Sequence, residues 1–404
     1  MSKEAWEEVS LALQWWAIAS CVLLTAASAA AEPVEIRIGY LGPAGFRPSL
    51  SLLQQGADND GLAGARLAIE DNSTTGRFLD QRFTLDEVRL KKDDDAAAAA
   101  NALADRKAGF IVADLAADDL LKVADAVRER GVVLLNAGAT DDRLREEDCR
   151  SNVLHIAPTR SMLADALAQY LVWKQWKRWL LVSGSHPPDQ LYADALRRAA
   201  ARFGAKIVQE RTFEDKGGAR RTDSGVTLIQ RQMPAFTQSA PAYDVLVAAD
   251  ESEVFALYLP YRTWDARPVA GSAGLVPTSW DAAHDQWGAI QLQNRFVKLN
   301  ARRMTARDMQ AWTAVRMIGE AASRTKSGDA KTITTFLKSP NFEIAAFKGQ
   351  PLTLRDWNRQ LRQPILLADG RMVVSVSPQE GFLHQTSELD TLGVDRPESK
   401  CKLN

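Results

Sequence analysis

Short apolar runs alternate with segments of helical apolar spacing along most of the chain, and this alternation predicts strands and helices in turn. In the first third, the predicted strands cover residues 35–41, 82–90, 110–113 and 132–135. The predicted helices between them cover residues 61–71, 95–107 and 118–130. Strands separated by helices of roughly 10–15 residues are typical of βαβ units, so this region predicts a parallel sheet.

The same pattern begins again after residue 150 and predicts a second parallel sheet. Its predicted strands cover residues 153–156, 179–182, 205–213, 245–248 and 268–271. Its predicted helices cover residues 161–177, 189–203 and 253–261, whereas residues 216–242 are predicted to be irregular. Residues 285–325 are predicted to be mostly helical, and residues 326–404 to combine short elements with a tail. The fold class that follows is α/β, with two Rossmann-like lobes built on parallel sheets.

The loops at the carboxyl ends of the predicted strands form the expected binding region. Ligands of open parallel sheets bind outside these strand ends. The loops in question cover residues 42–48, 114–118, 136–142, 183–189, 249–251 and 271–280. We therefore expect a ligand to bind between the two lobes.

The amino terminus has the pattern of a secretory signal peptide. Residues 11–31 carry no charge, and Ala27-Ser28-Ala29 is a small-x-small cleavage site, which predicts removal of residues 1–29 and a periplasmic location. Two alternatives stay open. The apolar stretch is long enough to remain as a membrane anchor, and Ile18-Ala19-Ser20-Cys21 resembles a lipobox that would place a lipid on Cys21.

Composition and motifs narrow the function further. The 404 residues include 50 Lys and Arg against 51 Asp and Glu, so no broad electrostatic attraction to nucleic acid is expected. The sequence contains neither a phosphate-binding GxxxxGKS/T pattern nor a GxSxG nucleophile elbow. Its four histidines have no partner at metal-ligand spacing: His155, His186, His284 and His384. We therefore predict a binding protein, not an enzyme, with no catalytic residues, no metal ion and no cofactor.

Several stretches together resemble a known family. Residues 36–39 (IRIG), 61–65 (GLAGA) and 131–140 (GVVLLNAGAT) are similar to type I periplasmic solute-binding proteins of the branched-chain amino-acid group. Four further stretches resemble a subfamily encoded beside PQQ-dependent alcohol dehydrogenase systems: residues 271–275, 291–296, 355–364 and 389–393. The resemblance implies a component of an ABC transport system that binds solute between two hinged lobes. Its implied partners are a small-molecule ligand, an inner-membrane permease and a quinoprotein dehydrogenase system.

The family topology implies three chain crossings between the lobes, near residues 157–158, 277–281 and 360–370. Lobe 1 would then contain residues 30–157 and 282–360, and lobe 2 residues 158–281 and 361–404. The tail would return toward the hinge and could bring Cys401 close enough to Cys149 for a disulfide bond. Two unpaired thiols remain the alternative.

The ligand contacts of the amino-acid-binding members are not retained here. The serine or threonine that takes a ligand carboxylate falls at Ala117, and the acid that takes the ammonium group falls at Ala273. A zwitterion without these charged hydrogen bonds would be costly to desolvate, so an α-amino acid is not expected. A neutral or weakly polar molecule, such as an alcohol-derived, aromatic or cofactor-related compound, is expected instead. The other candidate ligand-binding residues are Phe46, Asn136, Thr140, Ser185, His186, Asp189 and Trp280.

Each of these residues has an ordinary structural alternative, because loop polar groups often cap turns and loop aromatics often pack. A different role for the whole protein also stays open. The chain could be a ligand-sensing or accessory periplasmic protein that serves a membrane receptor or a quinoprotein dehydrogenase.

Overall fold

The computed structural model describes residues 33–45, 56–215 and 229–403. The strands are β1 (Val34–Pro43), β2 (Gln81–Leu90), β3 (Phe110–Ala113), β4 (Val133–Asn136), β5 (Val153–His155), β6 (Arg178–Gly184), β7 (Lys206–Phe213), β8 (Val245–Ala249), β9 (Val269–Gly271), β10 (Val276–Thr278), β11 (Thr353–Leu354), β12 (Leu361–Arg362), β13 (Ile365–Ala368) and β14 (Val373–Ser377). The helices are α1 (Leu62–Gly76), α2 (Ala96–Asp105), α3 (Ala117–Val127), α4 (Arg160–Trp173), α5 (Pro187–Phe203), α6 (Ile229–Thr237), α7 (Leu259–Arg262), α8 (Ala289–Asn300), α9 (Ala306–Thr325) and α10 (Ala330–Leu337).

The first sheet has the strand order β2-β1-β3-β4-β5, and the pairs β1–β3, β3–β4 and β4–β5 are parallel. Its central strands β3 and β4 are buried along their whole length, which explains why they consist almost entirely of apolar residues. One face packs against α1, α8 and α9, and the opposite face packs against α2 and α3. The predicted α/β fold with a parallel sheet is confirmed here.

The second sheet has the order β7-β6-β8-β9, and all three pairs are parallel. Helices α4 and α5 cover one face around Trp179, and α6 covers the other face around Phe255. Two sequence predictions were wrong in this half. The region predicted as irregular includes the helix α6, whose Met233 and Thr237 are buried. The helix predicted over residues 253–261 is instead a 3₁₀ turn, Ala256–Tyr258, followed by the four-residue helix α7.

The chain passes between the two sheets three times. It leaves the first sheet after β5, returns to it with α8 after β10, and leaves again between β12 and β13. These passages lie where the family resemblance implied crossings. The lobe boundaries drawn at them remain a prediction. A three-stranded antiparallel sheet, β10-β13-β14, and the pair β11–β12 lie along these connections.

The carboxyl-terminal tail is held against the segment between β4 and β5. Cys401 forms a disulfide bond with Cys149, and their Cα atoms are 5.6 Å apart. Beside this bond, the Lys400 backbone N–H donates to Glu146 Oε2 over 2.6 Å. The disulfide is the pairing that the family topology implied. The three cysteines of the sequence also include Cys21, which lies outside the described residues.

None of the helices in the described ranges is long and apolar enough to span a bilayer. The predicted signal peptide, residues 1–29, lies outside the described residues, as does the lipobox alternative. Both therefore stay predictions.

Candidate functional site

A cavity of about 990 Å³ lies at the carboxyl ends of the strands of both sheets, and we call it the cleft. Each of the six loops that the sequence indicated contributes at least one lining residue. Representative members are Ala44, Ala117, Thr140, Pro187, Glu251 and Ser272. The cleft therefore occupies the position expected for a ligand site in open parallel sheets.

Asp114 forms the floor of the cleft on the side of the first sheet. It follows β3 directly, and only 2% of it is exposed. Arg307, in the first turn of α9, donates from Nη1 to Asp114 Oδ1 over 2.5 Å. The loop after β4 passes so closely that a Cβ atom on Gly138 would lie 2.5 Å from the same carboxylate oxygen. A glycine is therefore required at this position.

A second group of charges connects loops of the two sheets, and we call it the cleft network. It contains Arg160, the first residue of α4, together with Asp141 and Glu251. Arg160 Nη1 lies 3.1 Å from Asp141 Oδ2. Its Nε and Nη2 donate to the Glu251 carboxylate over 2.7–3.0 Å. Asp141 belongs to the loop after β4, and Glu251 to the loop after β8, so Arg160 links the two walls.

The electrostatics of the cleft network follow from partial burial. Burial raises the pKa of Glu251, and the neighbouring Arg160 counteracts part of that rise. For Arg160, burial alone would lower the pKa of the guanidinium, but the Glu251 and Asp141 carboxylates raise it overall. An ion pair that keeps both members charged at a cavity wall can exchange partners with a charged ligand.

Charged side chains dominate the rest of the described lining. Eight carboxylates contribute: Asp94, Asp114, Asp118, Asp119, Asp141, Asp250, Glu251 and Glu253. Five basic residues contribute: Lys91, Lys92, Arg143, Arg160 and Arg307. The lining is thus much more polar than the sequence-based expectation of a neutral ligand implied. Across the described ranges, no group of three or more His, Cys, Asp or Glu side chains is arranged to hold a metal ion.

Two of the predicted ligand-binding residues line the cleft. Ala117 begins α3 and presents a methyl group where a hydroxyl would be needed for a ligand carboxylate. Thr140 lies next to Asp141, and its backbone oxygen accepts a hydrogen bond from the Arg160 N–H over 2.9 Å. Their role in ligand binding remains a prediction.

Asn136 and Asp189 lie outside the lining because their side chains satisfy backbone groups. Asn136 is fully buried and its Oδ1 accepts from the N–H groups of Gly138 and Ala139 over 3.1 and 2.9 Å. Asp189 is fully buried as well, and it accepts from the N–H groups of His186 and Ser252 over 3.2 and 2.8 Å. Both therefore shape loops of the cleft in this structure, and their direct contact with a ligand stays a prediction.

Three further candidates, Ser185, His186 and Trp280, lie outside the cleft lining. Ser185 Oγ accepts from the Asp215 N–H over 3.1 Å, and His186 Nε2 lies 2.8 Å from Asp215 Oδ2, so both are engaged beside the cleft. Trp280 is buried in the core of the first sheet, where its ring packs edge-on against His284 at 5.3 Å between centroids. Phe46 lies outside the described residues.

Ala273 lines a smaller cavity of about 270 Å³ that shares Asp250, Glu253 and Ser272 with the cleft. We call this cavity the side chamber. Ala273 is only 2% exposed and packs in the apolar cluster of the second sheet. It thus offers a methyl group and no charge to the side chamber.

Sequence reasoning missed Arg160, Glu251 and Arg307 as site residues. The loop containing Glu251 was indicated, and Arg160 directly follows the helix cap Thr159, so those two carried a local signal. Arg307 reaches Asp114 across 193 residues of sequence. No pattern within one sequence could have paired those two positions.

The amino-terminal half of the described chain matches a known protein family. Residues 35–219 match the family model described as periplasmic binding protein. No curated protein matches the chain.

Solved structures of solute-binding proteins share the fold. A periplasmic binding protein from Burkholderia mallei is 16% identical, and the match covers 91% of this chain and 99% of that chain with a TM-score of 0.65. A leucine-, isoleucine-, valine-, threonine- and alanine-binding protein from Brucella ovis, in a closed conformation, is 14% identical over 92% and 99% of the two chains, with a TM-score of 0.69. An ABC transporter solute-binding protein from R. palustris in complex with benzoate is 13% identical over 91% and 100%, with a TM-score of 0.64. The chain therefore has the α/β fold, with parallel sheets, of the type I periplasmic binding proteins.

Proposed function

We propose that this chain is the solute-binding component of an ABC transport system. It takes up a small molecule in the cleft, closes around it by rotation about the three connections, and presents the closed form to a permease in the inner membrane. It binds its ligand without converting it. The observation that carries the proposal is the cleft itself, which lies at the carboxyl ends of two parallel sheets joined by three passages of the chain.

Closure requires contacts that form with both walls at once, because a ligand shifts a conformational equilibrium only through its differential affinity for the two states. The cleft network supplies a suitable arrangement. Arg160 contacts Asp141 from one wall and Glu251 from the other, and a ligand between them can exchange for either carboxylate. The periplasmic binding protein match and the fold of the relatives support the same role.

We further propose that the ligand is not an α-amino acid. Ala117 and Ala273 stand where a hydroxyl and an acid would be needed, and Ala273 is packed among apolar side chains. A ligand carboxylate would thus lose its hydroxyl donor at Ala117, which leaves its desolvation without a compensating hydrogen bond.

A location in the periplasm after signal-peptide cleavage, and a link to PQQ-dependent alcohol oxidation, are finer parts of the proposal. The apolar stretch at residues 11–31 supports export, and the motif at residues 355–364 supports the PQQ link. Amino-terminal sequencing of the exported protein tests the signal-peptide cleavage. Capture of a quinoprotein dehydrogenase by the purified chain tests the link to PQQ-dependent alcohol oxidation.

The decisive experiment identifies the small molecule that the protein carries. Protein is purified from an expressing cell, washed and then denatured. The compounds that it releases are identified by mass spectrometry. Thr140→Trp places an indole in the cleft, whereas Thr335→Trp adds the same indole to an exposed position on α10. We expect the wild type and the Thr335→Trp control to release the same compound, and Thr140→Trp to release little of it.

The same compound should raise the melting temperature of the wild type and reduce its radius of gyration in X-ray scattering, because ligand binding stabilises the closed form. Release of no compound by the wild type, together with no thermal shift across fractions of a cell extract, would remove the proposed function.

A further inference from the structure

The two walls of the cleft differ in their balance of charge. On the side of the first sheet, the described basic residues nearly balance the carboxylates. The basic residues are Lys91, Lys92, Arg143 and Arg307, and the carboxylates are Asp94, Asp114, Asp118, Asp119 and Asp141. On the side of the second sheet, the charged lining residues are Arg160 and three carboxylates, Asp250, Glu251 and Glu253, of which Arg160 contacts Glu251. The negative potential is therefore concentrated on the second wall.

The side chamber extends this second wall. It shares Asp250 and Glu253 with the cleft and adds Asp281 and Asp369. None of its described lining residues is Lys, Arg or His. Four carboxylates thus surround a cavity of about 270 Å³, which is large enough for the end of an organic molecule.

Two of these carboxylates, Asp369 and Asp250, accept hydrogen bonds from backbone N–H groups, although burial raises the pKa of Asp250 overall. Asp369 Oδ1 accepts from the N–H groups of Arg371 and Met372, each over 2.9 Å, and these hydrogen bonds lower its pKa. The Asp250 carboxylate accepts from the N–H groups of Val254, Phe255 and Ala256 over 2.6–2.9 Å. Peptide N–H groups carry only partial charges, so the net potential of the chamber stays negative.

A cavity with walls of low dielectric constant strengthens the interaction of these carboxylates with whatever enters. A positive group gains favourable electrostatic energy from every carboxylate of the wall. A carboxylate or phosphate is repelled, and a neutral group exchanges hydrogen bonds with water at little net gain.

We propose that the solute is an organic cation whose amine or ammonium group lies in the side chamber, against the carboxylates of the second wall. This inference rests on the proposed function, since it names the chemical class of the solute that the cleft takes. It also replaces the neutral ligand expected from the sequence alone. A solute cation that has no carboxylate of its own agrees with Ala117, which presents a methyl group where a hydroxyl would be needed for a solute carboxylate.

Three molecules of one carbon skeleton test the charge class. They are 1,4-diaminobutane, 1,4-butanediol and succinate, which are a cation, a neutral molecule and an anion at neutral pH. Thermal shift and titration calorimetry are measured on the full exported chain at low ionic strength, where screening is weakest. We expect 1,4-diaminobutane to raise the melting temperature and to release measurable heat, and the diol and succinate to do neither.

The double variant Glu253→Gln/Asp369→Asn removes two charges from the chamber wall while retaining the shape of both side chains. We expect it to weaken 1,4-diaminobutane binding at least about tenfold, which corresponds to about 1.4 kcal/mol. The matched control, Asp80→Asn/Glu129→Gln, removes two exposed charges away from the cleft and should bind like the wild type.

A thermal shift with succinate or 1,4-butanediol that equals or exceeds the shift with the diamine overturns the charge class, as does an unaltered diamine affinity in the double variant. Absence of any diamine binding also overturns it. The release experiment separates this failure from failure of the proposed function. A compound released by the Thr335→Trp control, but not by Thr140→Trp, would leave the cleft as the solute site even when the cation class is wrong.

Discussion

The cleft network and the tail of the molecule use the same chemistry, arginine beside carboxylate, in two different settings. In the tail, Arg355 and Arg362 both donate to the Asp390 carboxylate over 2.8–3.0 Å, and we call these three residues the tail anchor. Arg355 is 1% exposed and Asp390 is fully buried. In the cleft network, the side chains of Asp141 and Glu251 keep about a fifth and a quarter of their surface exposed.

The difference lies in what else the guanidinium groups contact. Arg355 Nη2 also donates to the backbone oxygens of Leu389 and Leu392, over 3.0 and 2.7 Å, so nearly all its donors are satisfied inside the protein. Such a buried, fully bonded pair has no inexpensive alternative partner. In the cleft network, Arg160 does have an alternative partner, since water or a ligand can replace either carboxylate. We infer that the tail anchor fixes the architecture, and that the cleft network is available for rearrangement.

The largest expected effect comes from breaking the tail anchor. Asp390→Asn leaves two guanidinium groups, one of them fully buried, without a carboxylate, and should lower the free energy of unfolding by about 3–5 kcal/mol. Denaturant titration followed by circular dichroism measures it. Asp194→Asn, at an exposed pair with Arg197, is the control and should cost less than about 1 kcal/mol. Equal losses for the two variants would contradict the architectural role of the tail anchor.

A somewhat smaller effect should follow loss of the disulfide that holds the tail. The double variant Cys149→Ser/Cys401→Ser frees a loop of 252 residues in the unfolded chain and should lower the free energy of unfolding by about 2–4 kcal/mol. Added reductant should lower the melting temperature of the wild type and leave the double variant unaltered. A wild type insensitive to reductant would mean that the tail anchor alone holds the tail.

Lys348 tests what happens to a buried cation that has no carboxylate. It is 3% exposed, its Nζ donates to Gln363 Oε1 over 2.5 Å, and burial lowers its pKa to about 7. Because an unfolded lysine titrates near 10.4, the unfolded chain binds more protons between about pH 7 and 10, and stability should rise with pH in that interval.

Lys348→Met should remove up to about 1.4 kcal/mol per pH unit from this rise. Melting temperatures of both proteins between pH 7 and 9.5 provide the measurement, with Lys122→Met at an exposed site as the control. Parallel curves for the wild type and Lys348→Met would show that the pKa of Lys348 is not lowered in the folded state.

The smallest effect on stability is expected in the cleft network. Arg160→Met leaves Asp141 and Glu251 without their guanidinium partner but still about a fifth and a quarter exposed, so the free energy of unfolding should fall by about 1–2 kcal/mol, less than for Asp390→Asn. The same denaturant titration measures this loss in the free energy of unfolding. A loss as large as that of Asp390→Asn would place the cleft network with the architecture and remove the distinction between the two regions.

The sequence predicted the fold wherever burial alone determined the local pattern. Strand β3 has the predicted bounds because a short apolar run between turn residues has few other conformations available in a parallel sheet. The helix predicted over residues 253–261 failed because Glu253 adopts a positive φ of 52° and the Asp250 carboxylate binds the three N–H groups that follow it. Apolar spacing contains no information about such a cap.

The candidate site was predictable at the level of loops, because the carboxyl ends of parallel strands determine where loops converge. Individual side chains were not predictable. Asn136 and Asp189 are polar residues in the right loops, yet backbone N–H groups within the loops bind them first. Arg307 became visible only through Asp114, its partner far away in the sequence.

The bond between Cys149 and Cys401 makes the region between them a covalent ring. A force that pulls on the two ends of the described chain would extend the segment before Cys149 but could not straighten the 252-residue separation between the cysteines. At roughly 3.6 Å per extended residue, the oxidised protein would stretch about 900 Å less than the reduced one. The ring contains the whole second sheet, so the second wall of the cleft would be mechanically shielded while strands β1 to β4 of the first sheet bear the load.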